Sequence, residues 1–209
     1  MQIDLIIIII AITVGVSFLA FQNRELMYKL MMRPFDVVHS NQYYRLVTSG
    51  FIHIDWMHLF VNMIVLFSFG RGLLNYYNIT FAEKSLYYFI CLYLGGIIFS
   101  DLPSLIKHKN NPGFNSLGAS GAVSAVLFAY IFFNPLGGIG FIFLPGLEIP
   151  SVIWGVLYMV YSIYMGKRGG DNVNHDAHLF GAIFGVLFTF AMKPELAVRF
   201  IKNLTSYFN

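Results

Sequence analysis

Charged side chains are scarce in this sequence. Asp, Glu, Lys and Arg make up 11% of its 209 residues, about half the share carried by soluble domains, which excludes an ordinary water-facing surface. Cysteine is nearly absent. With Cys91 alone, no intramolecular disulfide can form, and thiol usage says nothing of the compartment. The net charge is only +3 and there is no basic tract, so nucleic acid is not among the expected partners. Neither an internal repeat nor a polar stretch long enough to be a soluble domain is present. A basic leader is missing too: Asp4 precedes the first apolar run and no small-x-small site follows it. That run is therefore expected to be a membrane helix and not a cleaved signal peptide.

What the sequence has in abundance is apolar. Hydrophobic residues reach 57% and aromatic ones 18%, with a mean hydropathy of +0.68. The run Leu5–Ala20 opens with five isoleucines after Leu5, and runs of this length span bilayers. Apolar segments fall at 3–21, 56–74, 84–100, 117–133, 147–165 and 177–192. Each is expected to be helical, because a backbone in lipid must satisfy its own hydrogen bonds. The fold class is thus an all-α membrane bundle of six transmembrane helices over 1–209, in the cell inner or plasma membrane. Residues 22–55 mix Tyr28, Phe35, Tyr43, Tyr44 and Phe51 with Arg24, Lys29, Arg33 and Arg45 and are expected to form an interfacial, partly helical loop. The stretch 101–116 reads as a loop, and 134–146, with two prolines and four glycines, as a turn with a re-entrant piece.

Parity then places the polar residues. Segments 2, 4 and 6 cross in the same direction, so their N-terminal ends share one face. Those ends carry His53, His58, Asn62, Ser120, His175 and His178, and the remaining histidines, His39 and His108, lie in loops on that side. Polar groups in a membrane are expensive and face the bundle interior. A helix from Ser120 to Phe133 would be about 21 Å long at 1.5 Å per residue, short of the roughly 30 Å hydrocarbon core. Ser120 is therefore expected below the membrane surface, with 101–119 lining a cavity. Small residues recur at Gly121, Ala125 and Ala129, and again at Ala177, Gly181 and Gly185. Such stripes let membrane helices approach closely, which would bring Ser120 toward His178.

A serine hydroxyl needs a neighbouring base, and histidine is suited to that role near neutral pH. The oxyanion made by its attack needs fixed donors. His58 and Asn62, four apart, share a helix face, and amides around Gly118–Ser120 open a helix. Taken alone, Ser120 reads equally as a helix cap or packing residue, and Asn62 as a bond between helices. The G-x-S-G spacing at Gly118–Gly121 differs from the hydrolase elbow, which also needs a strand. His175-x-x-His178 with Asp176 offers metal-ligand types, yet the H-E-x-x-H of zinc proteases is missing.

Together these residues resemble the rhomboid family of intramembrane serine proteases. The matching pieces are His53-x4-His58-x3-Asn62, then Gly118-Ala-Ser120-Gly121, then Ala177-His178-Leu-Phe-Gly181 leading to Gly185, in the family's order and over roughly 40–192. The resemblance implies a Ser120–His178 dyad without an aspartate, with Ser120 as nucleophile and His178 as base and acid. It also implies an oxyanion site of His58, Asn62 and the amides at Gly118 and Ser120. Tyr44-Arg45 resembles the aromatic-Arg pair of the family's first loop, and the segment around Trp154 would be the mobile helix beside which substrate enters. No metal, nucleotide or other cofactor is implied. The implied partners are transmembrane segments of other membrane proteins within the lipid bilayer.

Two positions depart from the family's habit. Leu74 stands where a glutamate is frequent, four residues after Gly70. Ser124 stands where some members place an aromatic ring beneath the catalytic histidine. Charge also runs against the family's orientation: Arg71, Lys84, Lys193, Arg199 and Lys202 would be cytoplasmic, against eight basic residues outside, the reverse of the positive-inside rule. A non-catalytic rhomboid-like protein that binds membrane helices is the alternative reading. A small transporter would need a paired repeat or carboxylates inside segments 2–6; there is no such repeat, and the only carboxylates are Glu148 and Asp176 at loop ends.

Overall fold

A computed structural model describes residues 4–141, 144–170 and 173–208. The first helix, α1 (Leu5–Gln22), is opened by the Asp4 carboxylate, which accepts from the Ile6 amide. Its inward stripe is Ile6, Ile9, Thr13, Ser17 and Ala20, the three-and-four spacing of one helix face. Ile7, Ile8 and Ile12 point away from the protein, so the isoleucine run divides between bundle and lipid. Short helices α2 (Arg24–Leu30), α3 (Pro34–His39) and α4 (Arg45–Thr48) follow. They are gathered around the buried Arg45, whose guanidinium donates to the carbonyls of Tyr28 (2.7 Å) and Met31 (2.8 Å) and to Gln42 Oε1 (2.7 Å).

Helix α5 (Trp56–Phe81) and helix α6 (Ser85–His108) are joined by one turn at Ala82–Lys84. The central helix α7 (Ser120–Phe133) is the shortest of the long elements, and eleven of its fourteen residues are buried. It lies against α5, α6, α8 (Ser151–Arg168), α9 (His175–Met192) and α10 (Glu195–Phe208). The stretches Leu5–Gln22, Trp56–His108 and His175–Met192 are long and apolar enough to cross a membrane, and Ser120–Phe133 is a shorter apolar helix. The shortness of α7 is offset by its surroundings: flanked by other helices on every side, it needs no lipid-matched length.

Several expectations change. Residues 101–108 continue α6 instead of starting a loop, with Pro103 inside the helix. The buried stripe through Ile97, Ser100, Asp101 and Ser104 carries it on. The 134–146 stretch leaves α7 through a turn at Asn134–Gly137. It feeds a hairpin in which β1 (Gly138–Phe141) pairs antiparallel with β2 (Leu144–Pro150), Ile139 opposite Ile149, with an irregularity at Gly140/Phe141. The pairing satisfies backbone groups that a glycine-rich chain could not satisfy as a helix; residues 142–143 lie outside the described residues. Beyond the sixth apolar segment stands α10, which the sequence reading left out. It docks through buried Leu196 and through Phe200 stacked on Phe132 at 5.3 Å, while Val198 and Ile201 stay exposed.

Backbone approach governs the centre. A Cβ on Gly181 of α9 would strike the Gly121 carbonyl of α7, and one on Gly185 the Ala125 carbonyl. The two small-residue stripes therefore meet in register. Gly121 differs from expectation in one respect. The side it leaves empty faces Ser100 of α6, not α9, and its carbonyl is what meets Gly181. A Cβ on Gly96 of α6 would likewise come within 3.0 Å of Ala122 Cα, so α7 is clasped from two sides.

Candidate active site

The chain entering α7 is held from several directions. Met32 and Ser116 exchange backbone hydrogen bonds of 2.9 and 3.0 Å, tying the first loop to residue 116. The Gly118 amide donates to Ser49 O at 2.9 Å. The Ala119 amide donates to His53 Nε2 at 3.3 Å. Because Nε2 accepts, the His53 proton sits on Nδ1, which donates to Ser17 Oγ at 3.0 Å; Ser17 in turn donates to Phe51 O at 3.2 Å. This relay runs from α1 to the residue before Ser120. It requires a neutral ring, and burial, helped by the neighbouring His58, pushes the His53 pKa down to about 3. Such a ring stays neutral throughout the physiological range.

His58 sits in the first turn of α5, where the Asp55 carboxylate caps the helix by accepting from the His58 amide at 2.7 Å. Its ring meets that of His53 edge-on, with centroids 4.9 Å apart. It also lies over Gly118: a Cβ there would come within 2.6 Å of His58 Cε1, and Gly118 has a φ of +123°. Glycine is needed at 118 on both counts. With its amide bound to Ser49 O, Gly118 makes room for His58. Asn62, one turn beyond His58 and buried, donates from Nδ2 to His58 O at 2.9 Å.

Ser120 opens α7, half-buried, on the wall of a cavity of about 20 Å³ that it shares with Ser100, Asp101, Ser116 and Asn174. A cavity of this size admits one water molecule. Asp101 is buried and accepts from Ser49 Oγ at 3.3 Å and Ser116 Oγ at 3.5 Å. On the facing helix, Asn174 caps α9 by accepting from the Ala177 amide at 3.1 Å and donates to Ser104 Oγ of α6 at 2.9 Å. That double use fixes where α9 begins. His178 lies in its first turn, between Ala177, whose carbonyl faces Gly121, and Gly181, which abuts the Gly121 backbone. Ser120 and His178 thus flank the same helix crossing. His178 also borders a groove of about 520 Å³ between α8 and α9, lined by Trp154, Leu157, Tyr158 and Tyr161.

Of the residues put forward from the sequence, Ser120, His178, His58 and Gly118 gather at one end of α5, α7 and α9, and Asn62 lies one turn further in. Among the described residues no group of three His, Cys, Asp or Glu side chains could hold a metal ion. Sequence reasoning missed two contributors and the role of a third. His53 was visible by its spacing, but its hold on the Ala119 amide was not. Ser17 could have been noticed as a hydroxyl on the inward stripe of an otherwise apolar helix. Tyr158, whose ring stacks against His178 with centroids 6.1 Å apart and planes 20° off parallel, gave no sequence signal.

The chain is 29% identical over 178 residues to RHOMBOID-like protein 12, mitochondrial, of Arabidopsis thaliana, covering 77% of this chain and 49% of that protein. It is 31% identical over 145 residues to Presenilin-associated rhomboid-like protein A, mitochondrial, of Danio rerio, covering 68% and 35%. The same identity links it to the Homo sapiens Presenilin-associated rhomboid-like protein, mitochondrial, over 68% of this chain and 36% of that one. The chain spans half or less of the length of these curated relatives. Their names place them in mitochondria, which gives no support to the inner- or plasma-membrane expectation. The Rhomboid domain model matches residues 40–195, three-quarters of the chain and every motif residue named above, and with a multi-pass helical bundle the chain belongs to the rhomboid family.

Proposed function

We propose that this protein is an intramembrane serine endopeptidase that cleaves transmembrane segments of other membrane proteins through a Ser120–His178 dyad. The observation that carries the reading is the α7–α9 crossing, where Gly181 and Gly185 meet the α7 backbone and leave Ser120 and His178 on its two sides. His178 takes the proton from Ser120 Oγ as that oxygen attacks the scissile carbonyl. The same imidazole then delivers it to the leaving amine, and water hydrolyses the acyl-enzyme. The Ser120 amide, the His58 ring and Asn62 Nδ2 are the donors for the oxyanion, with Asn62 exchanging its bond to His58 O for one to substrate. His53 positions the loop and stays out of the chemistry.

Substrate approaches along the groove beside α8. A helical segment hides its carbonyls in hydrogen bonds, so segments with glycine, proline or other poor helix formers are the favoured substrates. The membrane that houses the enzyme carries no further role in this reading. The test is labelling of the detergent-solubilised protein with a fluorophosphonate. Native chain is expected to label, and Ser120→Ala and His178→Ala to lose at least about 99% of the rate, in line with the 10³-fold or larger effects of removing such groups. Equal labelling of all three would sink the dyad and leave the helix-binding, non-catalytic reading.

A further inference from the structure

Ser124 removes the aromatic ring that its position could have placed beneath His178, yet the ring space is occupied. Tyr158 fills it from a different helix. Its ring lies nearly parallel to His178, its hydroxyl shares a 2.6 Å hydrogen bond with Ser124 Oγ, and its other flank meets Phe128 of α7 at 5.7 Å. Ser124 is buried, so the hydroxyl that replaces a ring on α7 has become the anchor for a ring on α8.

The helix that carries Tyr158 is attached unevenly. Its first turn is bound to the end of α7 and to the hairpin base: the Ser151 amide donates to Gly137 O at 2.8 Å, the Val152 amide to Pro135 O at 2.9 Å, and Ser151 Oγ to Asn134 O. Gly155 then rests on Phe128 and Ile131, with room for a Cβ only at 3.1 Å from Ile131 Cδ1. Further along, the groove opens between α8 and α9, and Leu157, Val160, Tyr161 and Tyr164 are exposed. The far half is seated on α9: Ser162 is buried, Tyr161 meets the His175 ring at 5.7 Å, and Gly166 lies against His175 and Asp176. Tyr158 is the residue where the seating of α8 reaches the dyad, because it meets His178, Ser124 and the groove together.

We propose that Tyr158 is the positioning residue of His178, and that through it the seating of α8 against α7 decides whether the imidazole is aligned with Ser120. With α8 seated, the Ser124–Tyr158 bond holds the ring flat against His178. Unseating α8 breaks that bond and takes the flank from His178, so the imidazole is aligned only while α8 is seated. The inference rests on the dyad reading above.

Two readouts keep the two claims apart. The first is the rate of Ser120 labelling by a fluorophosphonate against pH. The second is the signal and titration midpoint of the His178 ring by NMR on protein carrying isotope-labelled histidine, which needs no turnover. The titratable groups with a described ring contact to His178 are Tyr158 from α8 and His175 from α9, the latter 5.8 Å away; Asp176 is paired with Lys107 of α6 at 3.7 Å. Tyr158→Leu is expected to slow labelling by roughly ten- to a hundredfold, the scale of a misplaced catalytic group, and to move the His178 midpoint. Tyr158→Phe and Ser124→Ala break the same bond, so each is expected to slow labelling several-fold and the double variant no further. Gly155→Val, which pushes α8 off Phe128 and Ile131 while leaving Tyr158 in place, is expected to move the same His178 signal. A native labelling rate and an unmoved His178 signal in Tyr158→Leu overturn the proposal, as does an unmoved signal in Gly155→Val. Labelling that persists in Ser120→Ala overturns the dyad alone, because the His178 signal still reports whether Tyr158 holds the ring.

Discussion

Helices α7 and α8 follow one another in the chain and are built on opposite terms. Eleven of fourteen residues of α7 are buried, against three of eighteen in α8, namely Ser151, Gly155 and Ser162. The first meets its neighbours backbone to backbone, through Gly121, Ala122 and Ala125 against Gly96, Gly181 and Gly185. The second meets them through side chains, Gly155 resting on Phe128 and Ile131 and Tyr158 on Ser124, beside a groove. Backbone contacts of this closeness have no rotamers to adjust, so they fix distances; side-chain contacts across a void can be remade. Ser120 sits on the fixed helix and the proposed route for substrate runs beside the adjustable one. That division suits a site whose reacting atoms must be held within fractions of an ångström while a bulky helical chain is let in.

The comparison is broken most severely by filling the α7–α9 crossing. Gly181→Leu drives a side chain into the Gly121 carbonyl, and overpacking of this kind costs about 1–3 kcal/mol or more. The variant is expected to lose its cooperative thermal unfolding in detergent, followed by circular dichroism, together with all fluorophosphonate labelling. A native melting curve would show that the crossing is adjustable after all. Next comes the relay that holds the entry to α7. His53→Ala strands the Ala119 amide, at about 1–3 kcal/mol for a buried group left unpaired, while Ser17 keeps its bond to Phe51 O.

The same histidine predicts an acid limit. Its pKa is about 3 in the fold against an ordinary 6.5. Its stabilising effect is therefore complete above about pH 6.5 and is lost progressively as pH falls toward 3. The melting temperature should drop between pH 7.5 and pH 4.5, and should drop less in His53→Gln. Equal acid sensitivity in the two proteins would place the titrating group elsewhere. Gly155→Ala on α8 is the milder counterpart of Gly181→Leu. Its new methyl displaces only the end of Ile131, and the helix gains up to about 1 kcal/mol from replacing glycine, so the melting temperature should stay within a few degrees of native. Smallest of all is Leu157→Ser in the groove, expected to leave melting unchanged and, in a cleavage assay with a transmembrane substrate, to raise KM while kcat stays near native.

Much of this division was legible in the sequence. The small-residue stripes on α7 and α9 announced a close crossing because their spacing of four is itself the geometry of a helix face. The shortness of α7 announced a buried starting point for Ser120. What escaped were features that depend on partners distant in the chain or on backbone pairing. Ser124 read as a missing ring, and nothing in local spacing pointed to Tyr158, thirty-four residues on, as its replacement. The Gly118 amide is bound to Ser49 O, a partner that only the fold shows. The hairpin after α7 hid in a stretch whose glycines and prolines signal a turn without saying what the turn connects. The helix α10 lay past the last apolar run, where its alternating character gave no spanning signal.

The burial of α7 has a further consequence, for how the surrounding lipid can act. Thickening, thinning or stiffening of a bilayer works on the surfaces it wets, and here those belong to α1, α5, α6, α8 and α9, whose exposed faces carry Ile7, Phe60, Leu86, Val160 and Leu187. The helix that Ser120 opens has almost no such surface. Lipid composition therefore reaches Ser120 only second-hand, through the tilt of helices that clasp α7, whereas it presses directly on α8. A change of membrane should alter how readily a segment is admitted long before it alters the alignment of the groups that cut it.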